Sequence, residues 1–146
     1  MPQLAKPFET FERPGLVVNY AMANVRIYKG AMVGLNTDGF VQPMSPDEED
    51  LLFVGVTNES FDNRDGEPGD ASINLTKSGS FVFAAVEDFV PVQADLGKAA
   101  FAASDYEVTV DDDELDNAYA VGTIIAIETT STGAPGVRVR IDNATV

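Results

Sequence analysis

Displaced along itself by 67 residues, the chain places nine residues on identical ones over the 45 pairs that run from Val25 to Gly69. The matches are Val25 on Val92, Gly30 on Gly97, Asp38 on Asp105, Val41 on Val108, Val54 on Val121, Gly55 on Gly122, Gly66 on Gly133, Pro68 on Pro135 and Gly69 on Gly136. Unrelated sequences of ordinary composition would share about three. The shared residues are those that backbone geometry demands at turns and close approaches, and Gly-x-Pro-Gly leads into an apolar run both times. A chain of this kind is expected to fold one small unit twice and to pack the two copies face to face.

The unit reads as β. From Leu16 onward, short β-branched and aromatic runs alternate with Gly, Pro, Asn and Asp clusters at spacings near ten residues, as in sandwiches and barrels. Strands are predicted at residues 16–20, 25–28, 31–35, 40–42, 52–57, 72–76, 80–86, 89–93, 99–103, 107–110, 120–128 and 137–141. Ile73 and Leu75, Phe81 and Phe83, and Val137, Val139 and Ile141 each fall on one side of a two-residue period, which marks half-buried strands. Asp38-Gly39 predicts a tight turn and Ser78-Gly79 a hairpin. Ser45-Pro46-Asp47-Glu48 is a capping box that predicts a helical turn over 46–51, and Asp112 is placed to cap its counterpart at 112–116. The expected fold is therefore all-β: a compact β-sandwich or barrel of two pseudo-repeated halves, about 25–69 and about 92–136, with short helical turns. Residues 15–146 would form one β domain.

Residues 1–14 lie outside the repeat and form a candidate arm. Pro2, Pro7 and Pro14 stiffen it toward extended conformations, while Leu4, Phe8 and Phe11 offer apolar surface beside the cations Lys6 and Arg13. Two readings are open. The segment is a tail or a strand covering its own domain, or it is a docking arm that orders on a neighbour and buries each phenylalanine there at about 1.5–3 kcal/mol before ordering costs. It reads as neither a signal peptide nor a membrane span.

Composition limits the chemistry. The chain has no His and no Cys, which removes the Ser-His-acid triad, the Cys-His pair and zinc sites built on imidazole or thiolate. No phosphate-binding glycine loop and no activated nucleophile can be named, so no reaction, no cofactor and no metal are expected. Asp62, Asn63, Asp65, Glu67 and Asp70 crowd Gly66, but Phe61 and Ser72 then occupy the first and last positions of an EF-hand loop, so a solvated turn is the expectation. The run Asp111, Asp112, Asp113, Glu114 and Asp116 reads as a solvated face. Net charge is −15, made of +2 in residues 1–30 and −17 beyond, so the body should repel nucleic acid and anionic membrane.

One resemblance follows from the motifs. Lys29-Gly30-Ala31-Met32-Val33, the turn at Asp38-Gly39, Phe53-Val54-Gly55-Val56 and the Gly66–Gly69 loop are followed by a second round. That round is Leu96-Gly97-Lys98-Ala99, Asp105 to Val108, Val121-Gly122-Thr123-Ile124-Ile125-Ala126 and the alternating Val137-Arg138-Val139-Arg140-Ile141. Over residues 16–141 this pattern resembles the small tailed-phage proteins of the capsid cement or decoration type. The resemblance implies a mainly β protein, commonly a homotrimer, on the outer surface of an icosahedral head. Its partner would be the HK97-like major capsid protein, and its arm contacts would come from Leu4, Lys6, Phe8, Phe11 and Arg13. A surface β module that binds carbohydrate or calcium, and a phage tail or baseplate subunit, are the other readings left open.

Overall fold

A computed structural model describes residues 3, 5–7 and 16–142. The described residues form twelve strands: β1 (Val17–Ala21), β2 (Arg26–Ile27), β3 (Met32–Leu35), β4 (Val41–Pro43), β5 (Leu52–Thr57), β6 (Phe61–Asp62), β7 (Ser72–Thr76), β8 (Ser78–Ala85), β9 (Ala99–Ala102), β10 (Glu107–Thr109), β11 (Ala120–Thr129) and β12 (Pro135–Asp142). The molecule is all-β, and the only helical segments among the described residues are the 3-10 turns Gln93–Asp95 and Asp112–Glu114.

The repeat is a repeat of backbone pairing. The first sheet runs β1-β7-β5-β3-β4, and the second runs β8-β12-β11-β9-β10 and closes into a barrel. In the first repeat Leu35 faces Val41 and Gly34 faces Gln42; 67 residues on, Ala102 faces Val108 and Phe101 faces Thr109. Met32–Val56, Val33–Gly55 and Gly34–Phe53 reappear as Ala99–Thr123, Ala100–Gly122 and Phe101–Ala120, with the register break at the same place. The parallel contact of β8 with β10 at Ala85–Val108 has its counterpart in the bridge Met22–Val41, which brings the two edges of the first sheet together. The two repeats thus share one strand order, the first as a five-stranded sheet whose edges touch at a single bridge and the second as a closed barrel, and the repeat extends beyond 25–69 and 92–136 to include β1 and β8.

Where the two copies differ, four expectations are corrected. Val56–Thr76 and Thr57–Leu75 become Thr123–Arg140 and Ile124–Val139, so β12 stands 64 residues after β7 and the connection before it is three residues shorter. In the first repeat the longer connection holds β6, which pairs with β2 through Arg26–Asp62 and Ile27–Phe61. The second repeat offers no such partner, so 89–93 is not a strand: Phe89 is buried, and the Asp95 carboxylate accepts the Val92 N–H at 2.9 Å to fold a 3-10 turn. Nor is Ser78-Gly79 a hairpin, because β7 pairs with β1 and β5 while β8 pairs with β12 and β10, and Lys77 is the crossover between repeats.

The helical turn over 46–51 is also absent. Ser45 Oγ accepts the Asp47 N–H as a cap would, at 3.1 Å, but the carbonyls of Pro46 and Glu48 accept instead from the Asn117 side chain and the Tyr119 hydroxyl. The second repeat has taken the acceptors that a helix would use, and Asp50 turns the chain at φ 57. At the matching place the 3-10 turn Asp112–Glu114 forms, capped by Asp111 rather than Asp112.

The side chains divide by period. Met22, Ile27, Ala31, Val33, Val41, Val54, Ile73 and Leu75 fill the first repeat. Met32, Met44, Leu51, Phe53 and Val56, also of the first repeat, join instead the core cluster of the second, which includes Phe83, Val108, Val121, Val137 and Val139. The repeats are therefore welded side by side through apolar surface, at about 1.5–3 kcal/mol per large side chain removed from water. Among the described residues no helix is long and apolar enough to cross a membrane.

Candidate functional site

Of the five arm residues expected to make contacts, Lys6 is described and is exposed. Leu4, Phe8, Phe11 and Arg13 lie outside the described residues. The described chain resumes at Leu16 and Val17, which are 57% and 52% exposed, and the Leu16 carbonyl accepts the Lys77 N–H at 2.7 Å. The arm therefore joins the body at the crossover between the repeats, beside apolar surface that is open to solvent.

The acidic loops have structural employment. Asp62 takes a bidentate contact from the Arg64 guanidinium, at 2.9 and 2.8 Å, and a second ion pair from Arg26 at 3.2 Å. Those hydrogen bonds and charges hold its carboxyl well below the usual carboxylate range. Asn63 is buried and donates to the carbonyls of Ala23 and Glu67, and the Asp70 carboxylate accepts the Glu67 N–H. The Gly66 loop is thus folded by its own polar groups, as a turn. The carboxylates of Asp111, Asp112 and Asp113 lie within 4.8 Å of one another and are exposed.

An open groove of about 750 Å³ lies where the repeats meet. The first repeat contributes residues 28–31 from the β2–β3 connection; the second contributes 82–85 of β8, 105–107 ahead of β10, and the 130–134 turn. Two hydrogen-bonded turns set its walls. Thr130 and Ala134 close the β11–β12 hairpin at 2.9 Å, and the Ala103 N–H bonds the Glu107 carbonyl at 2.8 Å. Tyr28 and Tyr106 are each 57% exposed and Val82 41%, and the charged groups Lys29 and Glu107 line the same groove. A depression of about 300 Å³ shares Tyr28 and adds Arg26, Ser60, Phe61 and Asp62. Neither Tyr28 nor Tyr106 was singled out by the sequence, because a half-exposed tyrosine next to a turn carries the same local signal as a core one.

Asp105 is the one carboxyl in the groove with a raised affinity for its proton. Burial against the second barrel costs its charge hydration, and Glu107 adds repulsion. The folded chain then holds the proton more tightly than the unfolded chain does. Its unfavourable contribution is absent in acid, grows as pH rises from the unfolded value near about 3.9 through the raised folded value, and is complete above it. Asp105→Asn is expected to raise the melting temperature at pH 7 and to leave it unchanged at pH 3, as read by circular dichroism; an equal effect at both values would assign the change to packing.

No protein-family model matches the chain, and neither a curated protein nor a solved structure matches it significantly.

Proposed function

We propose that this protein is a structural capsid cement or decoration protein, which binds the outside of an icosahedral phage head and holds neighbouring capsid subunits together without catalysing a reaction. The observation that carries the reading is the welded pair of repeats, a five-stranded sheet and a closed barrel. Two copies of one fold share a core, and the Tyr119 hydroxyl and Asn117 amide add hydrogen bonds across the junction at 2.6 to 3.1 Å. Such a body resists shear, which adhesion requires and small-molecule turnover does not.

Three further features support it. Leu16 and Val17, where the described chain resumes, are exposed apolar side chains, and the sequence ahead of them carries Leu4, Phe8 and Phe11. A net charge of −15 keeps a crowded outer face soluble and mutually repelling. Weak contacts repeated on one shell act at high effective concentration, so a short arm suffices when many copies are bound. The partner is the HK97-like major capsid protein, the self-associated form is a homotrimer, and the location is the virion surface.

Deleting residues 1–14 tests this. The truncated chain is expected to keep its β spectrum and melting transition, yet to remain in the supernatant when expanded empty heads of the encoding phage are sedimented, while the full chain pellets with them. Equal pelleting of both forms would overturn the docking arm, and failure of the full chain to pellet would overturn the cement reading.

A further inference from the structure

The aromatic side chains that stand exposed among the described residues are Tyr28, Phe61 and Tyr106, and all three border the groove or the depression that shares Tyr28 with it. Aromatic rings left in water on an acidic, soluble surface are costly unless something covers them. The repeat makes their position more telling. In the first repeat the matching mouth is covered by the long β5–β7 connection, where Gly69 donates to the Met22 carbonyl and Asn63 to that of Ala23. Ala85 is the counterpart of Met22, facing Val108 as Met22 faces Val41. The shorter connection of the second repeat runs as the 130–134 hairpin turn, and Ala85 lines the open groove.

We propose that this groove is a saccharide-binding site that takes a short stretch of a neutral glycan, with Tyr28 and Tyr106 as stacking platforms. A sugar ring presents a face of C–H groups and a rim of hydroxyls, so it needs flat apolar surface ringed by donors and acceptors. The groove supplies both: tyrosine rings and Val82 for the faces, and for the rims the Lys29 ammonium, the Asp105 and Glu107 carboxylates and the hydroxyls of the 130–132 turn. Its volume lies within the range of small-molecule sites, roughly 300–1,000 Å³.

The backbone around the groove is mostly paired. β8 pairs with β12 from Ser78 to Ala84 but with β10 only at Ala84 and Ala85, and β10 pairs with β8 and β9. Gly30 donates to Thr57, Ala31 to Tyr28 and Lys29 to Ser60 Oγ. Among the described residues, the side of β8 that faces β10 has no strand partner at Val82 and Phe83, so an added peptide strand is the rival occupant, and the exposed rings and polar rim are what favour a saccharide over it. Tyr28 is also held in place before any ligand arrives: Arg26 donates to its hydroxyl at 2.7 Å, lies 5.2 Å from its ring centroid, and is itself fixed by Asp62. Fixing the platform in advance lowers the ordering cost of binding. The surrounding negative charge selects neutral over acidic glycans. This proposal does not rest on the cement reading, which is argued from the doubled body and the arm.

The test is saturation-transfer and tyrosine-resonance NMR on the full chain with neutral hexasaccharides of the malto, cello, laminari, manno and N-acetylchito series. At least one is expected to bind with a dissociation constant at or below about 1 mM and to shift the Tyr28 and Tyr106 resonances. Tyr28→Ala and Tyr106→Ala should each weaken it about tenfold with the melting temperature unchanged, while Tyr28→Phe, which keeps the ring, retains most of the affinity and Val90→Ala retains all of it. Absence of binding by all five series at about 10 mM, or binding that survives the double tyrosine-to-alanine change, would overturn the proposal. A synthetic peptide of residues 1–15 shifting the same resonances in place of the sugars would overturn it as well.

Discussion

Gly122→Ala is expected to lower the melting temperature by about 10 °C or more, and Gly122→Val to leave little folded protein. A Cβ at this position would lie 2.3 Å from the Arg140 carbonyl oxygen and 2.7 Å from Val139 Cγ1. The first of these is backbone of the neighbouring strand, which no rotamer change can move aside. β11 and β12 must separate, or the bulge between Ala120 and Gly122 must be rebuilt. Overpacking of this kind costs about 1–3 kcal/mol and more when backbone must shift, and at roughly 3–4 °C per kcal/mol for a chain of this size the loss is large. Gly55 is its counterpart: φ is +148, and a Cβ would meet the Thr76 carbonyl oxygen at 2.6 Å and Leu75 Cβ at 3.2 Å. Thr76 and Leu75 correspond to Arg140 and Val139 in the two registers. Gly133→Ala provides the contrast, since nothing lies within 4 Å and only its positive φ opposes the change, at about 1 kcal/mol. Thermal melts of the three variants decide the matter: equal losses at 122 and 133 would show that the close approach carries no energy.

Those two glycines also explain why so much of the fold could be read from sequence. The identities at 30, 41, 54, 55 and their partners mark turns, buried strand positions and the bulge, which are the places where one backbone path admits few residues. The pairing register follows them, down to Leu35–Val41 and Ala102–Val108. What escaped was decided across the junction. The 46–51 turn has a proper cap in Ser45, yet its carbonyls belong to Asn117 and Tyr119, some 70 residues away. The 89–93 run has the apolar content of a strand but no strand beside it, because the residues that form β6 in one repeat extend a hairpin in the other. The groove was hidden for a similar reason. Tyr119 and Tyr106 both follow polar turn residues; one bonds the first repeat, the other faces solvent, and only the docking of the repeats separates them. The arm residues Leu4, Phe8, Phe11 and Arg13 were legible as a composition alone, and they lie outside the described residues.

Phe53→Ala is expected to destabilise both repeats together, by about 3–5 kcal/mol, in a single calorimetric transition. Phe53 sits on β5 of the first repeat but is 7% exposed because it is buried in the cluster that contains Val108, Val121 and Val137 of the second. Removing its ring opens a cavity at the weld itself, between a five-stranded sheet and a closed barrel whose paired strands resist collapse. If the two repeats were independently stable, the loss would fall on the interface alone and each would melt at its own temperature. The first repeat, however, has only eight buried side chains in a cluster of its own among the described residues. Without the weld it would also expose Met32, Met44, Leu51 and Val56, which is too little core and too much apolar surface for a unit of this length. Native-state hydrogen exchange separates the outcomes: protection at Ile73 in the first repeat and at Val137 in the second should fall by the same factor. Retained protection at Val137 beside a loss at Ile73 would mean two bodies in contact, and a shear-resistant doubled body could then no longer be the basis of adhesion.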